Sequence, residues 1–246
     1  MSSKNERIDV LLVQRGLCET REQAKRLILA GEVRSGDRII DKASTKLPHD
    51  AELSLKEKPK YVGRGGLKME GALDGFGIDP TGWVCMDVGA STGGFTDCLL
   101  QYGAAKVHAI DVGTNQLVWK LRQDERVVSQ EQFNARNLTP EDVGEPIRLA
   151  VMDLSFISLT KVLPAVFSVM ADDGMVVCLI KPQFELSREE VARGGIVREP
   201  ELHDKAVAKI RDFIAEQEGW EWRDVMDSPI KGGDGNREFL AWLVKA

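Results

Sequence analysis

A glycine-rich stretch at residues 87–96 limits the possible folds of this chain more than any other feature. It opens with Asp87 and carries glycines at 89, 93 and 94. Residues 83–86 before it form a short apolar run, typical of a buried parallel strand, and residues 95–102 after it predict a helix. Glycine allows a sharp turn and lets the backbone approach a ligand with no Cβ in the way. The stretch therefore predicts a strand–turn–helix unit with a ligand at the helix start.

The glycine spacing differs from the dinucleotide fingerprint G-x-G-x-x-G, because Ser91 stands where the second glycine would be. The carboxylate of Asp87, at the end of the predicted strand, suits a ligand with an ammonium group better than one with a pyrophosphate. S-adenosylmethionine (SAM) has an ammonium group and no phosphate, so the stretch favours a SAM site. A nucleotide-phosphate site and a purely structural turn are the alternatives at this point.

Downstream of residue 83, predicted strands alternate with predicted helices, which indicates a mostly parallel sheet with helices on both faces. The predicted strands are 83–86, 106–111, 127–129, 147–152, 175–180, 222–226 and 239–244. The predicted helices are 67–76, 95–102, 115–123, 159–170 and 200–219, the fourth despite Pro164. The fold class predicted for this part of the chain is α/β.

Ionisable residues stand at the ends of four of these strands: Asp87, Asp111, Asp153 and Lys181. In open parallel sheets, ligands bind beyond the carboxyl ends of the strands, so these residues favour a site at that edge. An acid at the position of Asp111 accepts hydrogen bonds from ribose hydroxyls in SAM and NAD sites alike. Residues 133–138, which include Asn134, lie where an adenine base would rest.

The first 68 residues are basic, whereas the rest of the chain is acidic. Residues 1–68 contain 15 Lys or Arg and 10 Asp or Glu, and the remainder contains 18 and 29. A basic module beside an acidic one suggests that the first binds a polyanion, with chance variation as the alternative. The same region predicts two helices, a hairpin and a strand, at 7–15, 20–31, 33–40 and 51–55. A capping box formed by Thr20 and Gln23 opens the second helix.

This pattern resembles the S4 domain, an RNA-binding module, over residues 5–60. The matching positions are Arg7, Ile8, Asp9, Leu12, Gly16, Thr20, Arg21, Ala24, Ile28, Gly31 and Val33. In S4 domains the second helix and the hairpin face RNA, and basic side chains on phosphates supply affinity rather than sequence choice. The resemblance implies six RNA-contacting residues: Arg7, Arg21, Lys25, Arg26, Arg34 and, in the following linker, Arg64. A solvated, charged helix face is the alternative explanation.

The glycine-rich stretch also resembles the first motif of the FtsJ (RrmJ-like) ribose 2′-O-methyltransferases. The matching residues are Asp87, Gly89, Ala90, Gly93, Gly94, Phe95 and Thr96. Together with the S4-like region, Arg64-Gly65-Gly66 and Asp153-Leu154-Ser155-Phe156, they make the whole chain similar to the TlyA/haemolysin A family. The resemblance implies an S4 domain at 1–60, a linker with a first helix at 61–82, and a Rossmann-like, SAM-dependent methyltransferase domain at 83–246.

The resemblance implies methyl transfer from SAM to a ribose 2′-OH of ribosomal RNA, with cytidine as the modified nucleotide. The catalytic tetrad would be Lys68, Asp153, Lys181 and Glu238. The cofactor-binding residues would be Asp87, Gly89, Ala90, Ser91, Gly93, Gly94, Phe95, Asp111 and Asn134. A 2′-OH is a weak nucleophile, so Lys181 is the candidate to take its proton or to stabilise the oxyanion. We expect no metal, since the three histidines are far apart in the chain.

Two other functions stay open at this point. An RNA-binding assembly factor with an inactive SAM domain would have the same organisation, although an intact tetrad argues against it. An NAD-dependent oxidoreductase would explain Asp111 but neither the glycine spacing nor the pairing of Lys181 with Asp153. A membrane pore is not favoured, because no stretch approaches the roughly 18 uncharged residues of a membrane helix. Four dispersed cysteines without metal-ligand spacing indicate a reduced, cytoplasmic protein.

Overall fold

The computed structural model describes residues 5–56 and 59–246. Contacts within the chain divide it into two compact units, Met1–Pro59 and Lys60–Ala246. Residues 61–82, which the sequence predicts as a linker with a first helix, lie in the second unit. The helix in this segment supplies buried side chains to the core of that unit, including Met69 and Leu73.

The first unit combines two short helices with two small antiparallel sheets. Its elements are β1 (Glu6–Arg7), α1 (Ile8–Gln14), α2 (Arg21–Leu29), β2 (Val33–Ser35), β3 (Arg38–Ile39), β4 (Lys46–Leu47) and β5 (Ser54–Leu55). Strand β1 pairs with β4, and β2 lies between β3 and β5. Apolar residues at helical spacing, such as Ile8, Leu12 and Ile28, form the buried core. The sequence predicts the helices and the hairpin of β2 and β3 but not the pairing of β1 with β4.

The start of α2 shows how its cap is built. The Thr20 hydroxyl accepts a hydrogen bond from the backbone N–H of Gln23 at 3.2 Å, as the predicted capping box requires. The Gln23 carboxamide, however, accepts the N–H of Glu19 at 3.0 Å, one residue earlier than a capping box would have it. The cap therefore satisfies one helix donor and one donor of the preceding turn.

The second unit is a seven-stranded sheet with helices on both faces, which confirms the predicted α/β class. Its strands are β6 (Val84–Val88), β7 (Lys106–Ile110), β8 (Val127–Gln130), β9 (Ile147–Met152), β10 (Met170–Ile180), β11 (Trp220–Asp227) and β12 (Phe239–Lys245). Its helices are α3 (Gly65–Phe76), α4 (Gly94–Gln101), α5 (Trp119–Arg122), α6 (Pro140–Val143), α7 (Leu163–Phe167), α8 (Pro182–Glu185) and α9 (Pro200–Ala215). Two 3₁₀ turns lie at Ala135–Asn137 and Leu159–Lys161.

The order of the strands across this sheet is β11-β12-β10-β9-β6-β7-β8. Strands β6 to β10 are parallel, and β12 is antiparallel to both of its neighbours, β10 and β11. The chain places β7 and β8 on one side of β6 and the later strands on the other. A crevice opens at such a reversal, beyond the carboxyl ends of the strands, and ligands bind there in open α/β sheets.

Apolar side chains fill the space on both faces of the sheet. Helices α7 and α9 cover one face through Leu163, Val166, Ala206, Ile210 and Ile214. Helices α3 and α4 cover the other through Met69, Leu73, Cys98 and Leu99. The sheet is thus a packed platform that fixes where its strand ends point. Within residues 5–56 and 59–246, none of the helices has both the length and the apolar character needed to cross a membrane.

Two predicted helices are shorter than the sequence pattern suggests. The helix predicted at 115–123 is reduced to α5, because the Glu131 carboxylate accepts the N–H groups of Asn115 and Gln116 and holds residues before it as a loop. The helix predicted at 159–170 is divided into a 3₁₀ turn and α7. Pro164 has no N–H to donate to the carbonyl four residues earlier, so the turn ends and a new helix begins.

Candidate active site

The sheet topology brings four charged side chains to one edge. Asp153 and Lys181 directly follow the parallel strands β9 and β10. Glu238 directly precedes β12, and because that strand is antiparallel, its start lies where the parallel strands end. The register pairs Ile180 of β10 with Phe239 of β12, which places Lys181 and Glu238 at the same edge of the sheet. Lys68 reaches this edge from the first turns of α3.

These four side chains form a continuous row of alternating charge. The Lys181 ammonium lies 2.5 Å from Asp153 Oδ1. The Lys68 ammonium lies 3.9 Å from Asp153 Oδ2 and donates to Glu238 Oε2 at 2.6 Å. Lys68 and Glu238 are both buried, so water solvates neither charge well. Each side chain therefore neutralises the charge of the other. Lys68 thus contacts two carboxylates and Lys181 contacts one.

A hydroxyl group completes the surroundings of Lys181. Its ammonium donates to Ser155 Oγ at 3.2 Å and lies 5.9 Å from the centre of the Phe184 ring. Ser155 follows Asp153 by two positions, in the loop that leaves β9. The sequence predictions do not give Ser155 a role, although its place two residues after the strand-end acid was a usable signal.

A cavity of about 690 Å³ opens beside this row of charges. Its volume is in the range of pockets that hold drug-sized ligands and cofactors. Four of the nine predicted cofactor-binding residues line it, namely Gly89, Ser91, Asp111 and Asn134, and so does Asp153 of the row. Gln116, Arg136 and Phe156 also line it. Of these three, the sequence predictions cover only Arg136, within the stretch 133–138 where the adenine would rest. The wall is otherwise largely apolar.

Asp111 directly follows β7 and is held in a fixed orientation at the carboxyl end of that strand. Its Oδ2 accepts the N–H of Ser91, and its Oδ1 accepts the N–H of Gly113, each at 2.7 Å. A carboxylate oxygen has two lone pairs, so each oxygen keeps acceptor capacity toward the cavity. Asp111 is therefore held in one orientation where it lines the cavity.

Glycine is required at two points of the turn after β6. Gly89 has φ +88°, and a Cβ there would lie 2.5 Å from the carbonyl oxygen of Asp153. Gly93 has φ +97°, and a Cβ there would collide with the side chain of Leu121. Both positions combine a left-handed backbone with a close neighbour, so only glycine allows β6, the turn and α4 to approach one another.

Asp87 lies beneath this turn and is not among the residues that line the cavity. Its side chain is 1% exposed, and its Oδ2 accepts both the N–H and the hydroxyl of Thr96, at 2.9 and 2.7 Å. The carboxylate thereby occupies the N-terminus of α4, where unpaired N–H groups favour an anion. Burial raises the pKa of Asp87 to about 7, against the lowering effect of the two hydrogen bonds from Thr96.

The other predicted cofactor residues of the turn are packed behind the cavity wall. Ala90, Gly93, Gly94 and Phe95 are all buried. A Cβ on Gly94 would lie 2.9 Å from the backbone nitrogen of Gly66, so α4 begins in close contact with the start of α3. These residues shape the turn and bring Lys68 on α3 toward the sheet edge.

The predicted RNA-contacting residues of the first unit fall into two groups. Arg7 and Arg21 both bind the buried carboxylate of Asp9, at 2.9 and 2.7 Å. Burial alone would raise the pKa of Asp9, but hydrogen bonds from these two guanidinium groups outweigh it and lower the pKa to about 2. Lys25, Arg26 and Arg34 are exposed. Arg7 and Arg21 therefore support the fold of the unit while their side chains stay 40% and 51% exposed, and the second group is exposed as well.

Arg64 belongs to the second unit and precedes α3. Its guanidinium donates to the backbone carbonyl of Lys231 at 3.1 Å. Lys231 begins the glycine-rich segment that leads to Glu238, and a Cβ on Gly232 would collide with the Glu238 carboxylate. Arg64 thus joins the segment before α3 to the segment before β12, which carry two members of the charged row.

Comparison with known proteins follows the same division of the chain. Residues 61–245 match the family of FtsJ-like methyltransferases, and residues 6–53 match the S4 domain. YqxC of Bacillus subtilis (strain 168) is 50% identical over 99% of this chain and 87% of its own length. TlyA of Mycobacterium tuberculosis (strain ATCC 25618 / H37Rv), a 16S/23S rRNA (cytidine-2′-O)-methyltransferase, is 44% identical over 98% of this chain and 90% of its own.

A solved structure from Streptococcus thermophilus, described as that of a hemolysin, gives a TM-score of 0.73 at 48% sequence identity. The alignment covers 99% of this chain and 90% of that one. The resemblance stated from the sequence, to proteins with an S4 domain and an FtsJ-like methyltransferase domain, is therefore confirmed over nearly the full length. The chain belongs to the TlyA/haemolysin A family of FtsJ-like methyltransferases that carry an S4 domain.

Proposed function

We propose that this protein transfers a methyl group from SAM to a ribose 2′-hydroxyl of ribosomal RNA, at cytidine. The observation that carries the proposal is the row of alternating charges formed by Lys181, Asp153, Lys68 and Glu238, which meets the cavity at Asp153. Such a row can orient a hydroxyl and accept its proton. The relative TlyA is a 16S/23S rRNA (cytidine-2′-O)-methyltransferase, which supports this choice of acceptor. Because the proposed substrate is ribosomal RNA, we propose that the protein acts in the cytoplasm.

The cavity suits SAM better than a dinucleotide. Asp87 already fills the N-terminus of α4, where a dinucleotide fold would bind its pyrophosphate. The charged residues that line the cavity are Asp111, Asp153 and Arg136, so its balance favours a ligand with a cationic centre over one with phosphates. This arrangement and the family together leave the NAD-dependent oxidoreductase without support.

Four residues would hold the cofactor: Gly89 and Ser91 by the backbone of the turn, Asp111 through the ribose hydroxyls, and Asn134 near the adenine. SAM supplies a methyl group that its sulfonium already activates. The task left to the protein is therefore to place the acceptor hydroxyl in line and to take its proton. Correct placement of two reacting groups can account for a large share of the barrier reduction.

Lys181 is the residue that we assign to the acceptor hydroxyl. It contacts one carboxylate of the row, whereas Lys68 is enclosed between two. Lys68 therefore holds Asp153 and Glu238 in place, and Asp153 in turn holds the Lys181 ammonium beside Ser155. A neutral Lys181 amine in this position can accept the proton of the hydroxyl, and a protonated Lys181 can instead stabilise the oxyanion that forms.

A direct assay tests the proposed function. Ribosomal subunits from a strain that lacks the gene are incubated with the protein and SAM labelled on its methyl group, and methylated riboses are then mapped. We expect labelled RNA with a block to alkaline hydrolysis at a cytidine, because a 2′-O-methyl group prevents cleavage there. Label on a base atom would contradict the assignment of the acceptor. Binding to subunits without any transfer would point to an assembly factor with an inactive SAM domain.

Asp111 provides a test of the cofactor site. Asp111→Ala removes both carboxylate oxygens at the carboxyl end of β7. We therefore expect the binding free energy of SAM to weaken by about 1.5–3 kcal/mol, the range for hydrogen bonds to a charged group. Isothermal titration calorimetry measures this change. Asp124→Ala is the matched control, since Asp124 pairs with Arg126 away from the cavity. Equal affinities of Asp111→Ala and the wild type would remove Asp111 from the site.

Lys25 and Arg26 provide a test of the RNA-binding surface. Replacing both by Glu should lower affinity for ribosomal RNA and reduce the slope of log K against log salt by about two, roughly one for each lost phosphate contact. Filter binding at several salt concentrations gives the slope. Lys42→Glu with Lys46→Glu is the control, because it changes the charge of the same unit equally at exposed positions outside α2. Equal losses in both pairs would show a general charge effect.

A further inference from the structure

A buried carboxylate outside the charged row lies close to it. The side chain of Glu185, the last residue of α8, is 2% exposed. It accepts three hydrogen bonds: from Ser158 Oγ at 2.5 Å, from the N–H of Leu159 at 2.8 Å and from Lys209 Nζ at 2.9 Å. A buried charge with this many partners is held firmly in one place.

These contacts join the segment that follows Lys181 to the loop that follows Asp153. Glu185 stands four positions after Lys181, in the single helical turn that follows β10. Ser158 and Leu159 end the loop that begins at Asp153. Lys209 of α9 also donates to the carbonyl oxygen of Glu185 at 2.6 Å, which fixes the backbone of α8 as well. The Lys181 segment and the Asp153 loop are therefore joined by a second link, separate from their own ion pair.

The loop between the two links contains a backbone conformation that needs support. Phe156 has φ +64°, which is unfavourable for a bulky side chain. Its ring lies 5.0 Å from that of Phe184, but the residue is 90% exposed, so burial compensates little. Such conformations persist where the surroundings over-determine them. Ser155 is held by Lys181 on one side of Phe156, and Ser158 and Leu159 are held by Glu185 on the other.

The second link differs from the first in one physical respect. The attraction between Lys181 and Asp153 depends on the proton that Lys181 carries, and that proton is what changes if Lys181 acts on the hydroxyl. The contacts of Glu185 with Lys209, Ser158 and Leu159 do not include Lys181. The distance between the Lys181 segment and the Asp153 loop can therefore stay constant through a change of charge at Lys181.

We propose that Glu185, with Lys209, is a positioning residue that keeps Lys181, Asp153 and Ser155 in register for the proposed methyl transfer. This inference rests on the proposed function. It assigns no contact between Glu185 and substrate or cofactor, so its effect passes through Lys181.

The test uses the full chain with Glu185→Gln and Lys209→Met. Glu185→Gln removes the charge and keeps the shape, so we expect kcat to fall about 10-fold, since small misplacements of reacting groups have effects of this order. KM for ribosomal subunits should stay within about twofold, because neither residue is placed at the RNA or the cofactor. Lys205→Met is the matched control: Lys205 lies one turn earlier on α9, is exposed and pairs with Glu190.

A double-variant cycle separates positioning from general damage to the fold. In a Lys181→Ala background, Glu185→Gln should add less than about a twofold loss, because residues that act through one group are not additive. An undiminished 10-fold loss in that background would overturn the proposal, and so would an unchanged kcat in the single variants. If Glu185→Gln does not fold, Lys209→Met decides, since the Lys209 side chain is 41% exposed and tolerates replacement.

Amide hydrogen exchange supplies a readout that does not depend on activity. Exchange in residues 153–161 should accelerate in Glu185→Gln and Lys209→Met and stay unchanged in Lys205→Met. Equal exchange in all of them would overturn the proposal even if activity changed. A wild-type protein that transfers no methyl group to RNA would instead contradict the proposed function, and the exchange result would still decide whether Glu185 holds the loop.

Discussion

Replacing Lys181 with alanine should lower the rate constant of methyl transfer by about 10²-fold or more, the usual effect of losing a general base or an oxyanion donor. Lys181 contacts Asp153 and Ser155 at the edge of the cavity and is absent from the residues that line it. SAM affinity should therefore stay close to that of the wild type. Single-turnover transfer to ribosomal subunits, measured beside calorimetry with SAM, gives both quantities for the same protein.

The Lys181→Arg variant distinguishes two roles of this residue. A guanidinium group stays protonated in proteins and does not serve as a base, but it can stabilise negative charge. No recovery with Arg would favour proton removal, and partial recovery would favour stabilisation of the oxyanion. Lys161→Ala, at an exposed lysine outside the row, is the control and should behave like the wild type. Near wild-type transfer by Lys181→Ala would exclude Lys181 from the chemistry.

Replacing Lys68 with methionine should lower the free energy of unfolding by about 3–5 kcal/mol, the effect of breaking a buried ion pair on one side. Lys68 is the cation that contacts Glu238, at 2.6 Å, and both side chains are buried. Methionine keeps the length of the side chain but leaves the Glu238 carboxylate uncompensated. Equilibrium unfolding in urea, followed by tryptophan fluorescence, measures the change.

A double variant identifies the cause of this loss. Glu238→Gln added to Lys68→Met removes the unpaired charge and should restore a substantial part of the stability, without restoring methyl transfer. Lys60→Met is the control, because Lys60 pairs with Glu70 at the surface and exposed pairs contribute about 0–1 kcal/mol. If Lys68→Met unfolded at the same urea concentration as the wild type, the ion pair between Lys68 and Glu238 would not stabilise the fold, and the prediction would be wrong.

The class of fold and the edge that carries the site follow from sequence pattern alone. Apolar runs that end in Asp111, Asp153 and Lys181 predict parallel strands with polar ends, and the parallel arrangement collects those ends at one edge. The glycines at 89 and 93 predict the turn because no other residue fits the backbone there. These signals are local, so a single sequence contains them.

The remaining features depend on contacts between distant residues. Glu238 reaches the row only because β12 is antiparallel to β10. The residues of a strand do not by themselves predict its direction in the sheet. Arg21 pairs with Asp9, 12 positions away in the chain, a contact that the spacing within its own helix does not predict. Glu131, at the end of the next strand, similarly binds the N–H groups of Asn115 and Gln116 and keeps the first part of the helix predicted at 115–123 as a loop. In each case a long-range partner outweighs the local preference.

The position of Glu238 in the chain has a consequence for the order in which the protein is made. Lys68 and Glu238 are 170 positions apart, and β12 lies between β10 and β11, so the row closes only after this strand has entered the sheet. During synthesis, domains fold in the order in which they emerge, and the first unit precedes the second. A chain interrupted before Glu238 would carry the basic helix α2 but an incomplete set of reactive groups. Translation thus yields an RNA-binding module first and a methyl-transferring molecule only when β12 has been added.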